Sequence, residues 1–404
     1  MSTTLVTSRC LDFEYQANGR VEITHRLIGK KYVVARDVYQ LLHTLRQPCS
    51  RQEAINSLSK HYRVEEVVKT FAFLEQHRLL VPPEADETFV VQPVKDSLFG
   101  LAEYVPTEVY TTPQVVFCGV PYGNGNSEDS NCRHFPLQLR QYLRHRNVLF
   151  NKEVEGIDFR FLSADTDFTR LREGLSTGRF RDWGELYVGS GESRETVHQR
   201  IAQAARQLFN RGHVPFFLGG DHSISWPLIL ACSETFPAFQ VVHFDAHTDT
   251  YQSHELLAFH DQAAAPHHGN FMTKCLQLDG LVRVSQFGIR GIVNHRQCEH
   301  PKQSIYWVDE LPALLARAPV LERGLPVYLT FDIDFLDPQV APGTATPVPG
   351  GLSYFQTGAL LRGLLGEAQI VGLDLVEVNP QRDPAGLTLQ VAANLLLTLL
   401  NAVH

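Results

Sequence analysis

Three short apolar runs in the second half of the chain each lead into a polar cluster rich in His and Asp. The runs are His213–Leu218, Gln240–Phe244 and Val327–Phe331. Because they are short and almost continuously apolar, they predict buried strands. The clusters read Gly-Gly-Asp-His-Ser at 219–223, Asp-Ala-His-Thr-Asp at 245–249 and Asp-Ile-Asp-Phe-Leu-Asp-Pro at 332–338. Ligand sites of open α/β sheets form at the carboxyl ends of parallel strands, so we expect the three clusters to meet.

Further apolar runs continue this pattern on both sides of the clusters. They predict strands at 115–121, 182–188, 284–289, 304–308 and 370–375. Helical patterns fall between them, and Ser193 precedes one with Val197, Ile201 and Leu208 on one face. This alternation predicts α/β architecture: a three-layer αβα fold with a parallel sheet. The apolar stretch near 392–400 is too short to cross a bilayer and predicts a C-terminal helix packed on the body.

The first 85 residues follow a different pattern, with three strands before three helices. Alternating positions predict strands at 10–15, 21–24 and 31–34, and Asn18-Gly19 is typical of a hairpin turn. Apolar residues at helical spacing follow at 38–45, 55–62 and 67–74, and Ser50 with Glu53 predicts a capping box. Four prolines fall within 82–108. We therefore predict a small α+β domain at 1–85, a linker at 86–108 and a larger domain at 109–404.

Composition limits the classes of partner. The chain has 404 residues, 44% of them hydrophobic, and a net charge of −8, which argues against a phosphate backbone as partner. The seven cysteines are scattered and form no Cys-x-x-Cys pair, which predicts reduced thiols in a cytoplasmic protein. The N-terminus lacks the basic start and apolar core of a signal peptide. We expect neither a nucleic acid nor a membrane as partner.

The His and Asp residues of the three clusters form a set of metal donors. Residues two apart on an extended strand end point the same way, so each cluster can face one point. The set comprises two imidazoles and four carboxylates, from His222, Asp245, His247, Asp249, Asp332 and Asp334. Such donors suit a pair of hard to borderline divalent ions such as Mn²⁺. Without a cation, four crowded carboxylates would repel one another.

The three clusters resemble the signature motifs of the ureohydrolases, the superfamily of arginases and agmatinases, and the resemblance covers residues 110–404. It implies the arginase-like fold, two Mn²⁺ ions per subunit and a homo-oligomer. It also implies the ligands of each ion. One ion would be held by His222, Asp245, Asp249 and Asp332, and the other by Asp245, His247, Asp332 and Asp334.

The resemblance implies catalytic roles as well. Glu377 matches the glutamate that binds the guanidinium, and His268 matches the histidine that shuttles protons, with His267 as the adjacent candidate. Glu377 and His268 would both contact the substrate, and Asp249 is assigned to catalysis as well as to the metal. The implied nucleophile is a hydroxide that bridges the two ions, and the products are urea and an amine.

The N-terminal pattern resembles the winged-helix modules of the PqqD type. When fused to modifying enzymes, such modules recognise ribosomally made peptides by adding the leader of a precursor peptide as a strand. The resemblance therefore implies a precursor peptide as partner. A structural or oligomerisation role and a DNA-binding role are the alternatives, although acidic residues offset the basic ones in this region.

Together the two resemblances predict a peptide arginase, which converts arginine residues of a precursor peptide to ornithine and urea. The segment Thr250–His267 is longer than the compact loop with which arginases hold free arginine, and Phe287–Gly291 lacks an Asp for the α-amine. The first alternative is an agmatinase or other small-guanidine ureohydrolase with an accessory domain. The second is a catalytically dead ureohydrolase that serves as a peptide-binding scaffold, against which the six intact donor positions argue.

Overall fold

A computed structural model describes most of the chain. The described residues are 4–8, 10–25, 30–83, 91–150, 154–189, 191–251, 266–292, 294, 300–314 and 321–403. The chain divides into two compact units, Met1–Val90 and Val91–His404, each with its own apolar core.

The first unit combines small antiparallel sheets with helices. Its strands are β1 (Thr4–Thr7), β2 (Leu11–Tyr15), β3 (Val21–His25), β4 (Lys30–Val34), β5 (Cys49–Ser50) and β6 (Leu80–Val81). Its helices are α1 (Arg36–Thr44), α2 (Arg51–Leu58) and α3 (Val64–Gln76). β2, β3 and β4 form an antiparallel meander, in which Val21 and Ile23 of the central strand are fully buried. Leu42 and Phe71 bring α1 and α3 into the same core.

The three strands and three helices predicted for this unit are confirmed, but a second sheet was not predicted. β1 pairs with both β5 and β6, and two-residue strands such as these are too short to show a period of two. The capping box is wrong, because Ser50 occupies the N-cap of α2 without a side-chain capping hydrogen bond. The winged-helix assignment stays a prediction.

The second unit is an α/β structure. Its strands are β7 (Val91–Gln92), β8 (Ala102–Glu103), β9 (Val115–Gly119), β10 (Phe180–Leu186), β11 (Val214–Leu218), β12 (Phe239–Phe244), β13 (Leu281–Ile289), β14 (Gln303–Trp307), β15 (Val327–Asp332) and β16 (Ile370–Val376). Its helices are α4 (Phe135–His145), α5 (Thr169–Ser176), α6 (Arg194–Phe209), α7 (Ser225–Thr235), α8 (Phe271–Cys275), α9 (Leu311–Leu314), α10 (Tyr354–Leu365) and α11 (Leu387–Ala402).

One sheet runs through this unit in the order β14-β13-β12-β15-β16-β11-β9-β10-β7, with β8 also paired to β10. Neighbouring strands are parallel except for β7, which pairs antiparallel with β10 at one edge. β11 and β12 follow each other along the chain, but β15 and β16 lie between them in the sheet. The predicted parallel sheet is therefore confirmed, and the change in strand order places a ligand site at the carboxyl ends of its central strands.

The helices of this unit pack in two groups. α4, α5 and α10 contact α11, whereas α6 and α8 contact α7. β12, β15 and β16 are buried at every position, which explains why their sequences are mostly apolar rather than alternating. Ser193 accepts a hydrogen bond from the backbone of Thr196 and caps α6 as predicted.

Two stretches differ from the sequence pattern. Residues 91–108, predicted as a linker, lie in the second unit and contribute β7 and β8 to the sheet, with Leu98, Phe99 and Tyr104 buried. Among the described residues, Pro384–Ala402 is a helix long and apolar enough to cross a membrane by length and composition alone. Leu395, Leu396 and Leu399 of this helix belong to the core of the unit, as the predicted packing requires.

Candidate metal centre

The candidate residues lie at the carboxyl ends of four adjacent strands, β12, β15, β16 and β11. The strand register explains why they meet. Phe244 pairs with Phe331, Phe331 with Leu375, and Leu375 with Leu218, so the four strands end at the same level. The chain then continues from these ends into the segments that carry the donors. The clusters were predicted to meet at this edge, and the geometry brings them together there.

The turn after β11 depends on glycine. Gly219 and Gly220 both have positive φ values, 84° and 81°, which side-chain-bearing residues rarely adopt. A Cβ on Gly220 would lie 2.5 Å from the carbonyl oxygen of Tyr122. This tight turn places Asp221 as the cap of a short 3₁₀ helix and directs His222 inward.

His222 presents one ring nitrogen to the carboxylates and anchors the other. Its Nδ1 lies 3.0 Å from Asp245 Oδ2, 3.0 Å from Asp249 Oδ2 and 3.2 Å from Asp332 Oδ2. Its Nε2 lies 2.8 Å from Thr330 Oγ1, whose hydroxyl donates to Asp374. Because that hydroxyl proton is used, Thr330 Oγ1 accepts from Nε2–H, and Nδ1 is the ring nitrogen that faces the three carboxylates.

A second group of donors surrounds His247. Its Nδ1 lies 3.0 Å from Asp334 Oδ2 and 3.4 Å from Asp245 Oδ1. Asp245 thus faces His222 with one oxygen and His247 with the other. Asp334 is oriented from behind, because its Oδ1 accepts the backbone N–H of Ala246. Asp245, His247 and Asp334 therefore form one potential metal group, and His222, Asp245 and Asp249 belong to another.

The donor set fits a divalent cation. The Nδ1 atom of His222 is buried without a well-aligned hydrogen bond, although three carboxylate oxygens surround it. Burial and the nearby charges of Asp334 and Asp245 raise the pKa of Asp332 well above its usual value. Both features describe a site whose electrostatics require a positive charge at its centre, and oxygen with imidazole donors suits hard to borderline ions.

Two of the site residues have strained backbones. Asp249 and Glu377 have φ values of 50° and 61°, in the left-handed region that residues other than glycine rarely occupy. Non-glycine residues in this conformation cluster at functional sites, where the surrounding structure holds them in place. Here the strain turns the Asp249 carboxylate towards His222 and lets the Glu377 backbone N–H donate to the Gly220 carbonyl.

Glu377 is a buried carboxylate beside the donor set. Its Oε1 accepts the backbone N–H of His222 at 2.9 Å, and its Oε2 accepts Asn126 Nδ2 at 2.8 Å. The side chain is 1% exposed. His268 Nδ1 lies 3.6 Å from Oε1, so a carboxylate and an imidazole stand next to the candidate metal groups.

The loop that follows β9 carries polar groups to both of these side chains. Asn126 contacts Glu377, and the Ser127 hydroxyl lies 3.2 Å from His268 Nε2. Gly125 between them and β9 is tightly seated, since its N–H donates to Asp221 and its carbonyl accepts from the His268 backbone. A Cβ there would overlap the side chains of Ser223 and Asp221. The loop therefore supplies polar contacts to both Glu377 and His268.

His267 and His268 differ in what they contact. His268 faces Glu377, whereas His267 accepts the backbone N–H of Gly269 at its Nδ1. The structure thus places His268 rather than His267 beside Glu377, as in the first of the two sequence assignments.

The pKa of His268 gives a pH prediction. Burial alone would lower this pKa, but the nearby carboxylate of Glu377 outweighs burial and raises the pKa above its usual value. The stability that this contact contributes is complete below the ordinary histidine pKa and is lost as the pH rises through the raised one. We expect Glu377→Gln to move the titration midpoint of His268 to lower pH in the metal-free protein. NMR of histidine-labelled protein measures it, and an unchanged midpoint would contradict the contact.

Sequence reasoning missed several residues that surround the donors. Thr330 and His243 each lie on a strand, two positions before a predicted ligand, so the alternation of side chains could have indicated both. Asn126 gave no such signal.

Among the described residues, the two segments predicted to bear on the substrate give no handle for it. In Phe287–Gly291, Arg290 donates to the carbonyls of Asp334, Leu336 and Val348 and stabilises the turn after β15. Most of Thr250–His267 lies outside the described residues, at 252–265.

Comparison with known proteins identifies the class. The Arginase family matches residues 113–401, which is most of the chain. The mitochondrial agmatinase of Gallus gallus is 32% identical over 346 residues, covering 80% of this chain and 89% of its own length. The mitochondrial guanidino acid hydrolase of Homo sapiens is 30% identical over 347 residues, covering 80% and 86%. The crystal structure of a hypothetical agmatinase from Burkholderia thailandensis matches with a TM-score of 0.58 and 31% identity, covering 72% of this chain and 85% of that one.

The chain therefore belongs to the arginase family, and its α/β unit has the arginase-like fold. It is a hydrolase that acts on guanidino carbon–nitrogen bonds, with a His/Asp metal site at the end of its central strands.

Proposed function

We propose that this chain hydrolyses the guanidinium group of its substrate to urea and an amine at a centre of two Mn²⁺ ions. The observation that carries the proposal is the position of Glu377, a buried carboxylate that accepts the backbone N–H of the metal donor His222 and lies 3.6 Å from His268. A carboxylate binds a planar guanidinium through two parallel hydrogen bonds, which would hold its carbon at the metal donors. Divalent ions bound by those donors would activate water for attack on that carbon.

His268 and Glu377 divide the remaining work. The departing amine must gain a proton, and His268 stands 3.6 Å from the carboxylate that would hold the guanidinium. Its raised pKa keeps the imidazolium populated at a higher pH than a free histidine would. Glu377 orients the substrate, and the hydrogen bonds from Asn126 and His222 fix the carboxylate in place before the substrate arrives.

A small guanidine, with agmatine first, is the substrate class that the relatives support best. Their names include agmatinase and guanidino acid hydrolase, and both describe hydrolysis of a small guanidino compound. The identities are close to one third, and relatives with different substrates match about equally well. Reaction type is therefore better supported than the group attached to the guanidine.

Arginine within a peptide is the second candidate, and a different observation favours it. The family match begins at residue 113, so the first unit lies outside it, and this unit has its own apolar core. Within the described residues, β2 and β4 each leave one side of the meander unpaired. An edge strand can accept an extended peptide as a further strand, which is how the leader of a precursor peptide would bind.

A substrate panel separates the two candidates. Urea release would be measured with Mn²⁺ and agmatine, free arginine, guanidine or an arginine-containing peptide blocked at both ends. Turnover of agmatine alone supports the small-guanidine enzyme, and turnover of the blocked peptide alone supports a peptide arginase. If none of the four releases urea, neither agmatine nor arginine within a peptide is the substrate.

Removal of the first unit gives a further prediction. A chain that begins at Val91 would keep the whole second unit, including β7. If the first unit binds a leader, we expect the KM for a complete precursor peptide to rise at least about tenfold, because about 1.4 kcal/mol or more of binding is lost. The kcat for a short blocked peptide should stay unchanged, and this substrate is the matched control. An equal loss on both substrates would assign the unit a structural role.

A further inference from the structure

His243 is a fully buried histidine that the proposed reaction does not use. It lies on β12 two residues before Asp245, and its Nε2 is 2.8 Å from Asp245 Oδ2. That oxygen also lies 3.0 Å from His222 Nδ1. His243 could therefore be an additional metal ligand, a hydrogen-bond donor to a metal ligand, or a packed core residue.

The hydrogen bonds of Gln286 on β13 decide between these roles. Its Nε2 lies 2.7 Å from the carbonyl oxygen of Thr248 and 2.7 Å from His243 Nδ1. A carbonyl oxygen only accepts, so the amide group facing Thr248 must be the NH₂ and not the oxygen. Each of its two protons then has an acceptor, one at Thr248 and one at His243 Nδ1.

The tautomer of His243 follows from this arrangement. Because Nδ1 accepts a hydrogen bond from the Gln286 amide, the ring proton lies on Nε2, and Nε2–H donates a hydrogen bond to Asp245 Oδ2. A nitrogen that carries a proton has no lone pair for a metal, so His243 does not coordinate a cation through Nε2 in this arrangement.

We propose that His243 and Gln286 are positioning residues that orient Asp245 Oδ2 for the metal bound by His222. The inference rests on the proposed metal centre and not on the identity of the substrate. A hydrogen bond to a ligating carboxylate directs its remaining lone pair, and loss of such an outer contact typically weakens metal affinity about 10- to 100-fold. Gln286 acts one step further out, since it selects the tautomer that makes the donation possible.

Two variants of His243 test the proposal by metal affinity, without any substrate. His243→Gln retains an N–H donor near the position of Nε2, whereas His243→Leu has a similar size and no donor. Both leave one N–H of Gln286 without its acceptor, so that cost cancels in the comparison. The dissociation constant and the visible absorption spectrum would be measured by Co²⁺ titration, and Mn²⁺ content by elemental analysis.

We expect His243→Gln to bind Co²⁺ within about threefold of the wild type and His243→Leu about 10- to 100-fold more weakly. Equal weakening in both variants would overturn the proposal, and an accompanying change in the spectrum would make His243 a ligand. Unchanged affinity in both would overturn it in favour of packing alone. A wild-type protein that binds no metal would instead remove the metal centre itself.

A second measurement serves if either variant fails to fold. In Gln286→Leu, His243 loses the donor that selects its tautomer, so ¹⁵N chemical shifts of labelled histidine should change from the Nε2–H form to a mixture. A single unchanged tautomer would contradict the role of Gln286. Ser285→Ala is the matched control, because Ser285 is the buried neighbour on the same strand and its hydroxyl has no hydrogen-bond partner.

Discussion

The Asp245→Ala protein is expected to fold and to release no measurable urea. Asp245 is the residue that faces both donor groups, with Oδ2 towards His222 and Oδ1 towards His247. Its removal takes one oxygen from each potential metal position. We expect kcat to fall at least about 1,000-fold, equivalent to about 4 kcal/mol of activation free energy. Urea release at saturating substrate measures the loss.

Metal binding gives this prediction a readout besides activity. A cation that binds only the folded protein stabilises it by about 2.7 kcal/mol at 100 times its dissociation constant. The wild type should gain such an increment on addition of Mn²⁺, whereas Asp245→Ala should gain much less. Thermal unfolding with and without Mn²⁺ measures the difference.

Asp337→Asn is a suitable control for this variant. Asp337 belongs to the same motif as Asp332 and Asp334, but its carboxylate accepts the backbone N–H groups of Gln339, Gly350 and Gly351. Its replacement should lower stability and leave the metal content unchanged. If Asp245→Ala kept both Mn²⁺ and urea release, the assignment of the metal centre would be wrong.

The central part of the site could be predicted from the sequence because its donors follow strands directly. Asp245 and His247 are two positions apart in the sequence, and the buried parallel strand before them determines the edge of the sheet at which they lie. The same holds for Asp332 and Asp334 after β15. Local strand geometry was therefore enough to predict each cluster. The common direction of the parallel strands was enough to predict that the clusters lie close together.

The outer part could not be predicted, because it depends on contacts between distant segments. Asn126 and Glu377 are 251 positions apart, and nothing near Asn126 indicates that its loop returns to β16. The positive φ values of Asp249 and Glu377 arise from the fold around them, and the residues next to them in the sequence do not indicate these values. Likewise, the donation from Gln286 to His243 requires the register of β12 with β13.

In the first unit, only one of the two small sheets could be predicted from the sequence pattern. The meander β2–β3–β4 was readable because its central strand alternates, with Val21, Ile23 and His25 buried. β1, β5 and β6 pair through two residues at a time, and this leaves no periodic signal. Fold class for such a small unit therefore depends on tertiary pairing more than on the order of its elements.

Glu377→Gln is expected to abolish most guanidine hydrolysis while the metal stays bound. The two side chains have the same shape, but Gln carries no charge to pair with a guanidinium. Breaking a buried ion pair by removing one partner costs about 3 kcal/mol or more, so kcat/KM should fall about 100-fold or more. Initial rates over a range of substrate concentrations measure this fall.

The contacts of Glu377 explain why the metal centre should survive this change. The backbone N–H of His222 can only donate, so the Gln oxygen would remain at the position of Oε1. The new NH₂ would face Asn126, whose amide can turn and offer its oxygen instead. His222 therefore keeps its support, and Mn²⁺ content should equal that of the wild type.

Glu128→Gln is the control that separates a specific contact from a general loss of negative charge. Glu128 lies on the same loop as Asn126, and its side chain is exposed. If the substrate cation were attracted only by net charge, both variants would weaken kcat/KM to a similar extent. If Glu377 binds the guanidinium directly, only Glu377→Gln loses activity. A loss of Mn²⁺ in Glu377→Gln would mean that this residue acts through the metal centre, because its contact with His222 would then matter more than its contact with the substrate.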